Sequence, residues 1–188
     1  MATTCRDIIH AALRKLGILR PGAAASNGEA SDALFSLQSL YLEWIEGGMF
    51  GPLTDVTATA AYEAKEGERV ASAGFTVTLP TTLIDVTSGE SRSPVDLAVV
   101  VVVTAGAAQA TSIYDANRGE WVSIAALDLA DNAPLAGRGA DGLAACLAKR
   151  LSDDYGEQVT AQTEQAAGLF LRAITMKRTS RAVETSYF

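Results

Sequence analysis

Histidine and cysteine are scarce in this sequence, which has one histidine and two cysteines among 188 residues. Structural zinc sites and disulfide-stabilised folds need several such residues at characteristic spacings. Cys5 and Cys146 are far apart, so we expect neither a disulfide framework nor a zinc ribbon, and both should be small buried residues. His10 is the only histidine and cannot form a histidine-based metal site. We expect its ring to be packed or partly exposed on the first helix.

Long hydrophobic runs and excess positive charge are also missing. The longest apolar run, Leu97 to Val103, is about a third of the length needed to span a bilayer. The N-terminal residues contain no apolar segment of the kind found in signal peptides. We therefore predict no membrane association and synthesis in a cytosol. The formal net charge of -7 argues against general nucleic-acid binding, because neutralising phosphates requires clustered Lys and Arg.

Catalytic and cofactor motifs are equally scarce. Gly137 to Gly142 has the letters of the dinucleotide-binding motif G-x-G-x-x-G, but that motif requires a parallel strand leading directly into a helix. Asp131 to Pro134 separates these glycines from the last predicted strand, which favours a flexible loop before a helix. Acidic clusters at Glu63–Glu68 and Asp153–Glu157 lack the spacing of a calcium loop and are interpreted as solvated surface. We predict no enzymatic activity, no cofactor and no metal site.

What the sequence does contain is a clear helical pattern at its N-terminal end. Two pairs of residues have the capping-box spacing that marks a helix start: Thr4 with Asp7, and Ser26 with Glu29. Apolar residues follow each pair at helical spacing, and Gly17 and Gly47 end the two patterns. The pattern predicts two helices joined by a loop over Arg20 to Asn27.

The middle of the chain has the pattern of β-structure. Short runs rich in Val, Ile and Thr, some of them alternating between apolar and polar residues, are separated by glycine-containing turns. The predicted strands cover residues 56–62, 75–79, 83–87, 97–104, 109–114 and 120–124. Because no helical pattern separates them, they predict an antiparallel sheet or a small barrel.

The last third returns to a helical pattern, with one helix predicted to start at Asp141 and another after Thr160. The predicted fold class is α+β: a helical body of about four helices with an antiparallel β subdomain inserted between the second and third, and an extended C-terminal arm. The predicted divisions are a helical hairpin, the β subdomain, a helical pair and the arm, at residues 1–54, 55–127, 128–176 and 177–188.

The C-terminal segment from Arg172 to Phe188 differs in charge from the rest of the chain. It holds four basic residues and one acidic residue in an otherwise acidic protein. Such a segment cannot bury itself in a core. It is either a frayed terminus or an arm that becomes ordered on a partner.

Patterns of small and apolar residues recur at both helical ends. They are Ala11-Ala-Leu-Arg-Lys-Leu-Gly-Ile18, Asp32-Ala-Leu with Leu37, Leu40, Leu42-Glu-Trp44 and Gly47-Gly48, Pro134-Leu-Ala-Gly-Arg138 with Leu143–Leu151, and Asp154-Tyr-Gly156 before an alanine-rich helix. Together they resemble the head–tail connector (adaptor) proteins of tailed phages. That family includes the packaged-DNA stabilisation protein of short-tailed phages and the adaptors of related siphoviruses and gene transfer agents. The β block from Asp55 to Ile124 departs from the compact form, which connects its helices more briefly.

The resemblance implies a homo-oligomeric ring, typically a dodecamer, docked beneath the portal protein at the neck of a virion made in a bacterial cytoplasm. The ring would extend the DNA channel, help to retain packaged DNA and carry the tail or a stopper or tail-terminator protein. Double-stranded DNA would pass without sequence-specific binding, which suits an acidic channel wall. We predict that the C-terminal segment contacts the portal. The residues assigned to this contact are Arg172, Lys177, Arg178, Arg181, Tyr187 and Phe188.

Two other classes of function remain open at this point. A host- or carbohydrate-binding β module would present an exposed cluster of aromatic side chains. Tyr62, Phe75, Tyr114 and Trp121 are available for it, and at least two of them are expected in the core. A small hydrolase or nuclease would need converging acid, base or metal ligands, for which the sequence offers no candidates.

Overall fold

A computed structural model describes residues 3–84, 89–107, 109–116 and 118–182. Its elements confirm the predicted fold class, with four helices and a multi-strand β region between the second and third of them. The helices are α1 (Cys5–Lys15), α2 (Asn27–Glu46), α3 (Ala140–Tyr155) and α4 (Ala161–Ala182). The strands are β1 (Thr54–Ala58), β2 (Tyr62–Glu63), β3 (Glu68–Ser72), β4 (Val77–Thr78), β5 (Leu83–Ile84), β6 (Ser91–Arg92), β7 (Val99–Thr104), β8 (Ala110–Asp115) and β9 (Glu120–Ser123).

The first two helices begin where the capping boxes predict. The Thr4 hydroxyl accepts a hydrogen bond from the Asp7 amide (3.2 Å), and the Asp7 carboxylate accepts one from the Thr4 amide (3.0 Å). Ser26 and Glu29 exchange the same pair of bonds at 3.3 and 2.8 Å. These bonds occupy amide groups that have no partner within the helix, so they fix where each helix starts.

The chain divides into two compact units. The helical unit comprises Met1–Glu43 and Leu127–Phe188, and the β unit comprises Trp44–Ala126. The first division lies earlier than the predicted boundary at residues 54/55, because the last turn of α2, with buried Trp44 and Ile45, belongs to the β unit. Among the described residues, no helix combines the length and apolar character that crossing a bilayer requires.

In the helical unit, α3 is the central helix. Its residues Leu143 to Ala148 are all buried, and it packs against both α1 and α4. A helix that is apolar around its circumference belongs inside a bundle. α2 is tied to the segment before α3 by the Tyr41 hydroxyl, which donates to the Pro134 carbonyl at 2.6 Å. The two segments that flank the β region in sequence therefore form one helical core.

The β unit corrects the predicted strand directions. Its main sheet has the order β1-β3-β7-β8-β9, and β1, β3 and β7 are parallel to one another. Among the described residues of the unit, the antiparallel pairing that the sequence predicted is found for β7 with β8, β8 with β9, and the separate pair β5–β6. Where the structure describes them, the connections between the parallel strands contain the short strands β2, β4, β5 and β6 and no helix. The usual sign of a parallel sheet, a helical crossover, is therefore missing from the sequence.

Helix α4 corrects the predicted C-terminal arm. The helix continues to Ala182, so residues 177–182 are helical and not extended. The part of the predicted arm from residue 183 onward lies outside the described residues.

The two capping carboxylates make the stability of the helical unit depend on pH. Backbone and side-chain hydrogen bonds from Thr4 lower the pKa of Asp7 below its usual 3.8, and those from Ser26 lower the pKa of Glu29 below 4.5. A carboxylate with a lowered pKa in the folded state stabilises that state above its unfolded value, and the contribution is lost as pH falls through the folded value.

We therefore expect the double variant Asp7→Asn/Glu29→Gln to lose less stability than the wild type as pH is lowered through these values. The measurement is the urea midpoint at a series of pH values from about 6 to about 2. Glu63→Gln, which changes an exposed carboxylate in the β unit, is the control. Identical pH slopes for wild type and double variant would contradict the assignment.

Candidate interaction surfaces

The residues predicted to bind a portal lie along and beyond the end of α4. Arg172 is exposed on this helix, one turn after Leu169. Lys177, Arg178 and Arg181 also belong to α4, but their side chains are not among the described features. Tyr187 and Phe188 lie outside the described residues. Of the six assigned residues, Arg172 is the one with a described side chain.

The exposed side of α4 combines an apolar side chain with positive charge. Thr163, Ala167, Phe170 and Ile174 are buried on one side of the helix, while Leu169 on the other side is 57% exposed. Arg172 and Ala173 are exposed one turn further along. From Gln165 to Ala182 the helix has four basic residues and no acidic one. We call Leu169, Arg172 and Ala173 the basic α4 face.

The exposed side of α2 has the opposite charge and a larger apolar side chain. Phe35 is 70% exposed, and Asp32 is exposed one turn before it. The whole helix has four acidic residues and no basic one. Of these, Glu43 pairs with Arg150 of α3 at 2.5 Å, and Glu46 pairs with Arg69 at 2.6 Å. We call Ser31, Asp32 and Phe35 the acidic α2 face.

Tyr155 shows where the acidic α2 face lies relative to α3. The pKa of the Tyr155 hydroxyl is raised by its partial burial, and further by the negative charges of Glu29, Asp32 and Asp154. Because such interactions act over short distances, these three carboxylates lie around the end of α3. The acidic α2 face is therefore near the C-terminal end of α3 and belongs to a locally negative surface.

The basic α4 face lies toward the other end of α3. Phe170 packs so closely against the start of α3 that a β-carbon added to Gly142 would be 2.5 Å from the Phe170 Cβ. Gly142 and Tyr155 are separated by ~20 Å along the helix axis at 1.5 Å per residue. The two faces thus lie toward opposite ends of the helical unit's central helix.

The close packing of Phe170 against the start of α3 gives a structural reason for the glycines at positions 139 and 142, which belong to the G-x-G-x-x-G pattern. Ala136–Arg138 forms a 3-10 turn, and α3 follows directly from Gly139. The preceding strand β9 pairs antiparallel with β8, so the parallel strand that the dinucleotide motif requires does not lead into these glycines. In place of a flexible loop, the structure has a turn and helix start held against Phe170.

The cysteines and the histidine have packing roles. Cys5 and Cys146 are both buried thiols, as predicted, and burial raises the pKa of Cys146 to about 11. His10 is half-buried, and its Nε2 accepts a hydrogen bond from the Ala25 amide at 3.4 Å. This bond connects α1 to the loop before α2.

The carboxylates of the acidic cluster at Glu63–Glu68 do not point to a common site. Glu66 pairs with Arg92 at 2.8 Å, while the buried Glu68 carboxylate accepts hydrogen bonds from the Tyr62 hydroxyl and the Lys65 amide. Glu63 is exposed. In the described part of the chain, no group of three or more His, Cys, Asp or Glu side chains is placed to hold a metal ion.

The aromatic residues of the β unit do not form an exposed cluster. Tyr114 is 3% exposed, and its ring contacts Trp121 edge to face at 5.3 Å. The Trp121 indole also donates to the Pro80 carbonyl at 2.7 Å, and Tyr62 packs on the core while bonded to Glu68. Phe75, at 44% exposure, is the exposed member of the four residues considered for carbohydrate binding.

Comparison with protein-family models and with curated proteins finds no match to this chain.

Proposed function

We propose that this chain is a structural head–tail connector of a tailed phage or gene transfer agent. In this proposal, copies of the chain form a ring, typically a dodecamer, beneath the portal protein. The ring extends the DNA channel, helps to retain packaged DNA and carries the tail or a stopper or tail-terminator protein. The protein would act in the virion neck, as an assembly component and not as an enzyme.

One observation carries the proposal. The two stretches that resemble connector proteins are separated in the sequence by the β region, yet they form a single helical unit around α3. A resemblance that covered two unrelated pieces of structure would have little meaning. Here the residues that carry it, from Ala11 to Trp44 and from Pro134 to Gly156, lie mostly in the same packed unit.

The charge of the chain supports a channel-forming role. A net charge of -7 would keep the wall of a DNA channel from binding the phosphate backbone. The positive charges of α4, in contrast, are concentrated toward the C-terminus. Such a segment suits docking on another protein of the head.

Helix α4 refines the residues proposed for portal docking. Ile174 is 3% exposed, so it belongs to the core of the helical unit, and Arg172 precedes it. Lys177, Arg178, Arg181, Tyr187 and Phe188 all follow it. We therefore propose that the segment after Met176 docks on the portal.

Truncation after Met176 tests the docking proposal. We expect the truncated chain to lose attachment to purified portal-bearing heads, because the proposed docking segment is removed while the buried Ile174 is retained. Attachment is measured by co-sedimentation with the heads and by electron microscopy of the neck. Circular dichroism checks that the truncated chain keeps its helices.

Full-length chain carrying Lys149→Ala, which removes an exposed positive charge from α3, is the matched control and should attach normally. If truncated protein joins the heads stoichiometrically, the C-terminal docking segment is wrong. If the full-length chain forms no collar at the portal vertex, the connector proposal itself fails.

A further inference from the structure

We propose that the basic α4 face of one copy docks on the acidic α2 face of the next copy in the ring. Leu169 would pack against Phe35, and Arg172 would pair with Asp32. This inference rests on the proposed function, because it assigns the contact between neighbouring copies of a ring. Beyond that function, it identifies the two surfaces through which neighbouring copies would contact each other.

The apolar part of the contact follows from side-chain exposure. Helices α2 and α4 each pack one side into a buried core and leave one large apolar side chain on the other, Phe35 at 70% and Leu169 at 57% exposure. These are the large hydrophobic side chains most exposed among the described residues of the helical unit. Aromatic and aliphatic anchors of this kind dominate the energetics of protein interfaces when they are buried.

The polar part follows from charge complementarity. Asp32 lies one turn from Phe35, on a helix without basic residues, and Arg172 lies one turn from Leu169, on a stretch of helix without acidic residues. Within the described part of the chain, neither Asp32 nor Arg172 belongs to an ion pair. The two faces therefore present the same arrangement, an apolar side chain with a charge one turn away, but with opposite charges.

The positions of the faces make the contact head-to-tail. Helix α4 packs against the start of α3 through Phe170, whereas the charge of Asp32 acts on Tyr155 at the end of α3. When each copy uses one face for each of two neighbours, the contact is heterologous, and repeating it produces a ring when the rotation closes. A two-fold dimer could also pair the two faces reciprocally, but it would use both faces of each copy and stop at two copies, whereas a ring requires each copy to contact two neighbours.

Charge reversal tests the pairing. Asp32→Arg and Arg172→Asp should each weaken the association between copies at least about tenfold, because each places like charges across the contact. The double variant Asp32→Arg/Arg172→Asp should restore it to near the wild-type level. Association is measured as the number of copies attached per portal-bearing head, and by sedimentation of the free full-length chain.

Two controls carry the same changes of charge at exposed positions outside these faces, Glu63→Arg and Lys149→Asp. Both should assemble as the wild type does. If folded single variants assemble normally, or if the double variant is no better than either single variant, the proposed contact is wrong. If reversal leaves the ring intact but detaches it from the portal or the tail, these faces bind those partners and the inference is also overturned.

A cysteine cross-link tests the direction of the contact. The native thiols are buried, so Phe35→Cys and Leu169→Cys introduce the reactive positions. Head-to-tail packing predicts a ladder of cross-linked species from the double variant, and dimers only from a mixture of the two single variants. Either single variant alone should give no cross-linked dimer. Dimers from one single variant, or dimers without a ladder from the double variant, would indicate a symmetric contact and overturn the inference.

The two proposals fail in different ways. If the wild-type chain neither self-associates nor forms a collar on portal-bearing heads, the connector function fails and the contact falls with it. If the wild type forms a collar that is insensitive to charge reversal, the function stands and only the assigned contact is overturned.

Discussion

Replacing Gly142 by alanine is expected to lower the free energy of unfolding by about 1–2 kcal/mol. An added Cβ would lie 2.5 Å from the Cβ and 2.8 Å from the Cγ of Phe170. Neither atom is the free end of a flexible side chain, so α4 must move away from α3. That strain, about 1–3 kcal/mol for an overpacked core, outweighs the ~0.5–1 kcal/mol by which alanine favours a helix over glycine.

Gly168→Ala is the matched control for this prediction. Gly168 lies within α4, and a Cβ added there meets no other atom within 4 Å. The helix preference then acts alone, and we expect stabilisation by about 0.5–1 kcal/mol. Urea unfolding followed by circular dichroism at 222 nm measures both variants. Gly142→Ala at least as stable as the wild type would show that α3 and α4 are not in this close contact.

The helical part of the fold could be predicted because its signals are local. A capping box requires residues only three positions apart, and both Thr4/Asp7 and Ser26/Glu29 form the predicted bonds. Apolar residues at helical spacing likewise predicted α1, α2 and the helix after Thr160. The end of α4 was placed too early, because apolar periodicity fades after Met176 although the backbone continues as a helix.

The β unit could be predicted less well because β3, the second strand in the order of the sheet, has mostly polar side chains on its buried face. β3 was not predicted at all, yet it lies between β1 and β7. Its buried positions are Glu68, Val70 and Ser72, so two of three inward side chains are polar. The sequence of β3 therefore lacks the alternation of apolar and polar residues that would identify a strand. Without β3, the parallel half of the sheet could not be foreseen.

Each candidate interaction face contains a large apolar residue that is visible in the sequence, but helical periodicity alone does not show whether that residue is buried or exposed. Phe35 and Leu169 are large apolar residues on the exposed sides of α2 and α4. Such a residue can be accommodated by a third packing element or left exposed, and only the structure distinguishes these cases. The opposite ends of α3 at which the two faces lie depend on how α2 and α4 pack, which no local pattern encodes.

Removing the buried carboxylate of Glu68 in β3 is expected to have the second large effect on stability. Glu68 is 8% exposed, and its Oε2 accepts hydrogen bonds from the Lys65 amide at 2.7 Å and the Tyr62 hydroxyl at 3.0 Å. Burial and the hydrogen bond to Glu68 raise the pKa of Tyr62, so its hydroxyl remains a donor at neutral pH. Glu68→Ala would leave both part-buried donors without this acceptor. We expect a loss of about 2–3 kcal/mol in the free energy of unfolding.

Glu68→Gln separates hydrogen bonding from simple removal of the side chain. Its amide oxygen can still accept from Lys65, and we expect a loss of about 1 kcal/mol because the bonds no longer involve a charged acceptor. Both tryptophans of the chain, Trp44 and Trp121, belong to the β unit, so tryptophan fluorescence during urea unfolding reports on this unit. A double-mutant cycle with Tyr62→Phe isolates the bond between the two side chains. Equal losses for Glu68→Ala and Glu68→Gln would mean that the charge, and not the hydrogen-bonding geometry, stabilises β3 at the core of the sheet.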